Sequence, residues 1–226
     1  MSTSTASQTI TGLLVLGGQS SRMGSDKAFL PYPLPGTSSE PLWRHLARIL
    51  LAVCPEGIVV SHNAKQADQL KDDKKVLGDL EGKVAFVQDV YEEMGPAAGL
   101  ISAHEAYGGK KTFFAVAVDF PFVTEKTLRF LVDKYKAEVT TYLHPIDMHP
   151  EPLLSIWSPV ALERLKKNAT TETDGRKRTG PCYTVKQMWK ESGEELGVLP
   201  LDELELRNTN TPEEWQKAVD ELRQRC

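Results

Sequence analysis

The sequence predicts an α/β fold with a mostly parallel sheet, and three observations predict it. Short apolar runs at residues 10–16, 57–60, 84–87 and 112–118 alternate with stretches whose apolar residues recur at helical spacing. That alternation is the pattern of βαβ units. The first run ends in a glycine-rich loop, and the run at 112–118, the most apolar in the chain, ends in a carboxylate, Asp119. Open α/β sheets collect their ligands at the carboxyl ends of strands.

The elements follow in order. Residues 10–16 are bounded by glycine and read as a buried strand. The stretch 31–40 carries Pro31, Pro33, Pro35 and Gly36 and reads as an irregular surface loop. Pro41 opens a helix with Leu42, Leu46, Ile49, Leu50 and Val53 on one face. A β-branched strand at 57–60 ends at Ser61-His62-Asn63, and 65–75 is a charge-rich, solvated helix and loop. The strand at 84–87 ends at Gln88-Asp89. Gly95-Pro96 then starts a helix, since proline at the first helical position loses no hydrogen bond. His104 reads as a residue of that helix's face, because no second metal ligand is placed near it.

After the strand at 112–118, Thr124 caps a helix with Leu128, Leu131, Val132 and Tyr135 inward. Strands are expected at 138–143 and 153–157, and Pro159 starts another helix. Residues 168–180 are polar and aperiodic and read as a mobile loop. Its Arg176-Lys177-Arg178 cluster reads equally as a solvated charge run or as an anion clamp over a phosphorylated substrate. Val185, Met188 and Trp189 have the spacing of packing residues. Thr211-Pro212-Glu213-Glu214 is a capping box for a last helix that buries Trp215, Val219 and Leu222.

Composition sets limits. The 226 residues are 40% hydrophobic and 26% charged, with a net charge of −4, which argues against a broad nucleic-acid-binding face. Three cysteines, Cys54, Cys182 and Cys226, form no C-x-x-C pair and fit the reduced thiols of a cytoplasm. No apolar run has membrane-spanning length, and the polar residues 1–9 read as a disordered tail with no signal-peptide core. With no repeat or long linker, residues 10–226 are expected to form one domain.

The chemistry centres on the loop after the first strand. Gly17-Gly18 frees backbone N–H groups to approach an anion, and Arg22 and Lys27 add two positive charges. The Walker pattern is absent, because Gly24 is followed by Ser25-Asp26-Lys27. The dinucleotide pattern is absent too, because Gly17, Gly18 and Gly24 are spaced wrongly. A third kind of polyphosphate loop remains. With Asn63, Asp89 and Asp119 at neighbouring strand ends, the set suits in-line attack on a nucleoside triphosphate. Asp119 would hold a magnesium ion (manganese is an alternative), and Arg22 and Lys27 would neutralise the departing pyrophosphate. Lys27 is expected to face solvent.

The loop, G-G-x-x-S-R-M-G-x-D-K, resembles the signature of the MobA-type nucleotidyltransferases, whose best-known members are molybdenum-cofactor guanylyltransferases. The resemblance continues in order through EMGPAAGL, VDFPF, PEPLLSIW and RNTNTPEE. It implies a Rossmann-like three-layer α/β/α sandwich of the nucleotide-diphospho-sugar-transferase type, with a nucleotide half at about 10–122 and an acceptor half at about 123–226. It implies that Gly17, Gly18, Arg22, Lys27 and Gly95 hold the nucleotide, with Leu14, Leu16 and Asn63 near the base and Asp89 near the ribose. Asp119 would bind metal, Asn208 and Asn210 would lie near the acceptor or a second metal, and Glu151 and Arg178 would face the acceptor. The implied reaction moves GMP from GTP to a phosphorylated acceptor, molybdopterin or molybdenum cofactor, in a cytoplasmic monomer or small homo-oligomer with no nucleic-acid or membrane partner.

Leu16 stands where the family carries alanine, and is expected to narrow or reshape the base pocket. Ala97 stands where the family carries leucine. The Gly17-Gly18 pair resembles guanine-using members, whereas cytidine-using relatives carry Ala-Gly. The alternatives are a cytidylyl- or other nucleotidyltransferase for a sugar phosphate or phosphoalcohol, and a nucleotide-binding regulatory protein without turnover.

Overall fold

The computed structural model describes residues 9–17, 25–35, 38–74, 77–91, 94–136, 138–171, 180–193 and 197–225. Seven strands form one sheet in the order β5-β4-β1-β6-β8-β7-β9. They are β1 Ile10–Val15, β4 Ile58–His62, β5 Val84–Gln88, β6 Thr112–Ala117, β7 Val139–Leu143, β8 Pro150–Trp157 and β9 Gly197–Val198. Strands β5, β4, β1 and β6 are mutually parallel, and β8 alone runs antiparallel to both its neighbours. The most apolar run, β6, is the fourth of the seven strands and is buried throughout.

Alternation along the central strands sorts side chains into two cores. Leu14, Leu16, Phe114 and Val116 face one layer, with α1 (Leu42–Val53), α2 (Ala64–Lys74), α4 (Glu125–Lys134) and α7 (Pro212–Arg225). Leu13, Val15, Phe113 and Ala115 face the other, with α3 (Pro96–Ala106), α5 (Pro159–Thr170) and α6 (Pro181–Ser192). The result is the expected three-layer sandwich. Caps read from the sequence are in place: Thr124 Oγ1 accepts from Thr127 N, and Thr211 and Glu214 bond reciprocally. Val185 and Trp189 pack in the second core. His104 is buried on α3, 3.3 Å from Glu163.

Two expectations change. The proline-rich stretch is not irregular: Pro31–Pro33 (β2) and Ser39–Pro41 (β3) pair as a two-stranded ribbon. A ribbon of two strands is all edge, where a missing N–H leaves no partner unpaired. Residues 150–152 extend β8 beyond the expected 153–157, despite two prolines, because β8 pairs there with β7 alone. The expected tail at 1–8 and most of the 168–180 loop, at 172–179, lie outside the described residues, and α5 continues to Thr170.

One glycine fixes how closely α1 lies on the sheet. A Cβ on Gly12 would stand 2.6 Å from Ile58 Cγ2 and 2.7 Å from Leu50 Cγ. Gly12→Val is therefore expected to destabilise the fold by about 2 kcal/mol through overpacking. The measurement is the urea midpoint at unchanged slope. An unshifted midpoint would mean that α1 and β1 can separate freely.

Candidate active site

The sheet order reverses between β1 and β6: the chain leaves β1 towards β4 on one side and returns to β6 on the other. Both strands end at the same level, with Val15 opposite Ala117 and Val118 N donating to Val15 O at 3.3 Å. The segments after them, 16–30 and 118–124, therefore leave the sheet side by side. This is the position where open α/β sheets build ligand sites.

Lys27 begins a single 3-10 turn, Lys27–Phe29, whose N-cap Asp26 accepts from Ala28 N. The turn aims the Lys27 ammonium back across the sheet end, where Nζ lies 2.5 Å from Asp119 Oδ1 and 3.4 Å from Asn210 Oδ1. Lys27 is only 3% exposed, which corrects the expectation of a solvent-facing side chain. The reason is the turn, which carries the stem inward while Asp119, with a side chain 37% exposed, compensates its charge. Thr209 N donates to Asp119 O at 3.3 Å, fastening the C-terminal Asn208–Asn210 stretch to the same carboxylate-bearing turn. Asn208 Oδ1 is buried with no hydrogen-bond partner among the described residues.

Asp89 sits past the end of β5 and beside Gly17: a Cβ on Gly17 would meet Asp89 Oδ2 at 2.7 Å. A side chain at position 17 would have to displace this carboxylate. Burial pushes the Asp89 carboxyl up to about 6, against a smaller opposing pull from the Ser61 hydroxyl. Its Oδ1 is buried without a hydrogen-bond partner among the described residues. Gly95 precedes α3 with φ 56° and ψ −140°, a conformation reserved for glycine, and open space surrounds its Cα.

Other site residues have different placements. Leu14 and Leu16 are 0% and 2% exposed and point into the core with α1. The Leu16 backbone is bonded too, with N donating to Ser61 O and O accepting from Gln66 Nε2. Asn63 caps α2, its Oδ1 accepting from Gln66 N. Gly18, Arg22 and Arg178 lie outside the described residues.

On the other flank, Glu151 at the start of β8 lies 3.2 Å from His144 Nε2. Burial raises the Glu151 carboxyl; the His144 bond opposes this and the nearby Asp119 charge adds to it. Beside it, Cys182 Sγ lies 3.3 Å from His149 Nε2. Sequence reading missed His144, His149, Cys182 and Gln66. The first three sit on a turn and a helix start with no spacing motif. Gln66 had one available signal, the N-x-x-Q of a capping pair.

The oxygen donors at Asp119, Asn208 and Asn210, one of them an orphaned buried carbonyl, suit a hard divalent cation that takes its remaining ligands from water or phosphate. No helix among the described residues is long and apolar enough to cross a membrane.

Known proteins share this sequence pattern and this fold. The model of the MobA-like NTP transferase domain matches residues 12–180. A probable molybdenum cofactor guanylyltransferase of Rhodopirellula baltica is 29% identical over 214 residues, 92% of this chain and 91% of that one. The molybdenum cofactor guanylyltransferase of Xanthomonas euvesicatoria is 26% identical, over 93% and 95% of the two chains. A solved nucleotidyl transferase from Methanothermobacter thermautotroptrophicus shares the fold with a TM-score of 0.70 at 19% identity, covering 96% of this chain and 99% of its own. The chain belongs to the MobA-like NTP transferase family.

Proposed function

We propose that this protein transfers GMP from GTP to the terminal phosphate of molybdopterin or molybdenum cofactor and releases pyrophosphate. The relatives named as guanylyltransferases over most of both chains support the base and the acceptor. The observation that carries the chemistry is the Lys27 ammonium held 2.5 Å from Asp119 at the switch point of the sheet. A non-catalytic binding protein has no need of such a pair.

An acceptor phosphate oxygen attacks the α-phosphorus of GTP, the bond from that phosphorus to the α,β-bridging oxygen breaks, and pyrophosphate leaves with the electron pair. Asp119, with Asn208 and Asn210, would hold magnesium. When bound, that ion supplies charge neutralisation on the phosphate oxygens. Lys27 lies within reach of the same oxygens and stabilises the charge that builds on the leaving group. Arg22 would add to this from the loop. Gly17, Gly18 and Gly95 give the nucleotide close access to backbone, and Asp89 accepts a ribose hydroxyl. Asn63 and the backbone of Leu14 and Leu16 border the base. Glu151, with Arg178, faces the acceptor, so that residues of about 10–122 serve the nucleotide and those of about 123–226 the acceptor. The proposed setting is the cytoplasm, as a monomer or small homo-oligomer.

Pyrophosphate release, screened with each triphosphate against phosphorylated acceptors, tests the reaction. GTP with molybdopterin is expected to be preferred, and equal or better turnover of CTP would sink the guanine assignment. Lys27→Met is expected to lower kcat/KM by about 100-fold or more. The variant stays folded, since Asp119 is exposed enough to regain water. Near-normal turnover by this variant would remove Lys27 from the mechanism.

Asp89 gives a pH test. Its folded value, about 6, exceeds the usual carboxylate value, so the folded state holds the proton more tightly. That contribution to stability is complete below about pH 4 and is lost as pH rises through about 6. Asp89→Asn should therefore gain stability relative to the parent across that window, by at most about 3 kcal/mol. It should also lose triphosphate affinity above pH 6. Parallel stability curves for the two proteins would show that Asp89 ionises normally.

A further inference from the structure

Helix α2 buries Leu70, and beside it one polar residue, Gln66, which is 1% exposed. Its amide is bonded on every side. Oε1 accepts from Asn63 N at 3.0 Å, and Nε2 donates to Leu16 O at 3.0 Å and to Asp26 Oδ2 at 2.7 Å. Leu16 lies at the entry of the glycine-rich loop and Asp26 at its exit. The other carboxylate oxygen of Asp26 accepts from Ala28 N and caps the turn that begins with Lys27. One side chain on α2 thus closes the loop at its two ends and reaches, through Asp26, the turn that presents Lys27 to Asp119.

We infer that Gln66 is a positioning residue: its side-chain amide sets the span between Leu16 and Asp26 and thereby the placement of Lys27. The chemistry of the three partners selects glutamine. A carbonyl and a carboxylate need two hydrogens from one planar NH2, and a backbone N–H needs an oxygen on the same carbon. Asparagine carries the same amide one methylene short. A carboxylate at this site would face two oxygens with no hydrogen to offer, and burial magnifies that mismatch. The catalytic consequence rests on the transfer reading above; the placement of Lys27 does not.

The test compares wild type with Gln66→Glu and Gln66→Met in the full chain. Lys27 acetylation by a limiting reagent is followed by peptide mass spectrometry. Lys71, whose side chain is 69% exposed, is the internal control for reagent. The fully buried thiol of Cys54, probed with a thiol reagent, reports global loosening. Lys27 is expected to react at least tenfold faster in both variants while Lys71 and Cys54 are unchanged. Adding Asp26→Asn to Gln66→Glu restores an amide–carboxylate pair with the roles exchanged, and should return part of the protection. On the triphosphate that wild type uses, Gln66→Glu should lower kcat/KM at least tenfold. The proposal is overturned if Lys27 reacts within twofold of wild type in the variants, if its reactivity rises only together with that of Cys54, or if Asp26→Asn returns none of the protection. A wild type inert towards every triphosphate would refute the transfer reading, and the labelling result would still decide the role of Gln66.

Discussion

The parallel pairing of β1 with β6 is the constraint on which the site depends. Its register runs from Ile10 opposite Thr112 to Val15 opposite Ala117, so the two strands finish together. Had β6 been two residues longer, Asp119 would have continued the ladder and its side chain would have been committed to one face of the sheet. Instead the strand stops, Pro121 prevents its extension, and the carboxylate stands at the rim. The loop after β1 leaves from the same rim. Gly12 makes this possible from below, because β1 must carry α1 closely on one face and still sit in the middle of the sheet.

Within that frame, the Lys27–Asp119 pair holds two charges ready at a partly buried rim. The ammonium is deeply placed and would be costly there without an anion beside it. The carboxylate keeps an open side towards solvent. In the proposed reaction an arriving polyphosphate would meet a cation already desolvated and already aimed, with little rearrangement left for the reaction itself. Asn210 Oδ1, at 3.4 Å, lies near the same ammonium and links this centre to the C-terminal segment. Distant stretches of chain thereby converge on a single nitrogen.

The sequence made the layers, the central strands and the rim residues legible, because each rests on a local signal. Strand and helix periods show in the apolar pattern, caps show as Thr-x-x-Glu, and a carboxylate ending an apolar run shows by position. Asp119 was singled out this way, and Lys27 by its place in the glycine-rich loop after β1. The burial of Lys27 was not legible, since it depends on a 3-10 turn whose direction is fixed by contacts with α1, with Gln66 of α2 and with Asp119. The ribbon at β2 and β3 was hidden by its prolines, which are forbidden in a central strand and harmless on an edge. The burial of the Leu16 side chain was overlooked for a related reason. Strand alternation assigns its side chain to the same face as Leu14, and so to the core, but the glycine pair after it drew attention to the loop.

The reversed strand explains why the acceptor flank was harder to read than the nucleotide flank. On a parallel sheet, chemistry gathers at strand ends, and a reader looks there. Strand β8 runs the other way, so the part of it that reaches the rim is its beginning, Pro150 and Glu151. Its neighbour β7 arrives at the same rim by its end, and the turn between them carries His144 and His149 over the site. Helix α6 then brings Cys182 against His149. None of these residues follows a strand in the way Asp89 and Asp119 do. The same reversal makes the geometry two-sided: one flank supplies groups from strand ends and the other from a strand beginning, and the rim between them is where a nucleotide and a second substrate can meet.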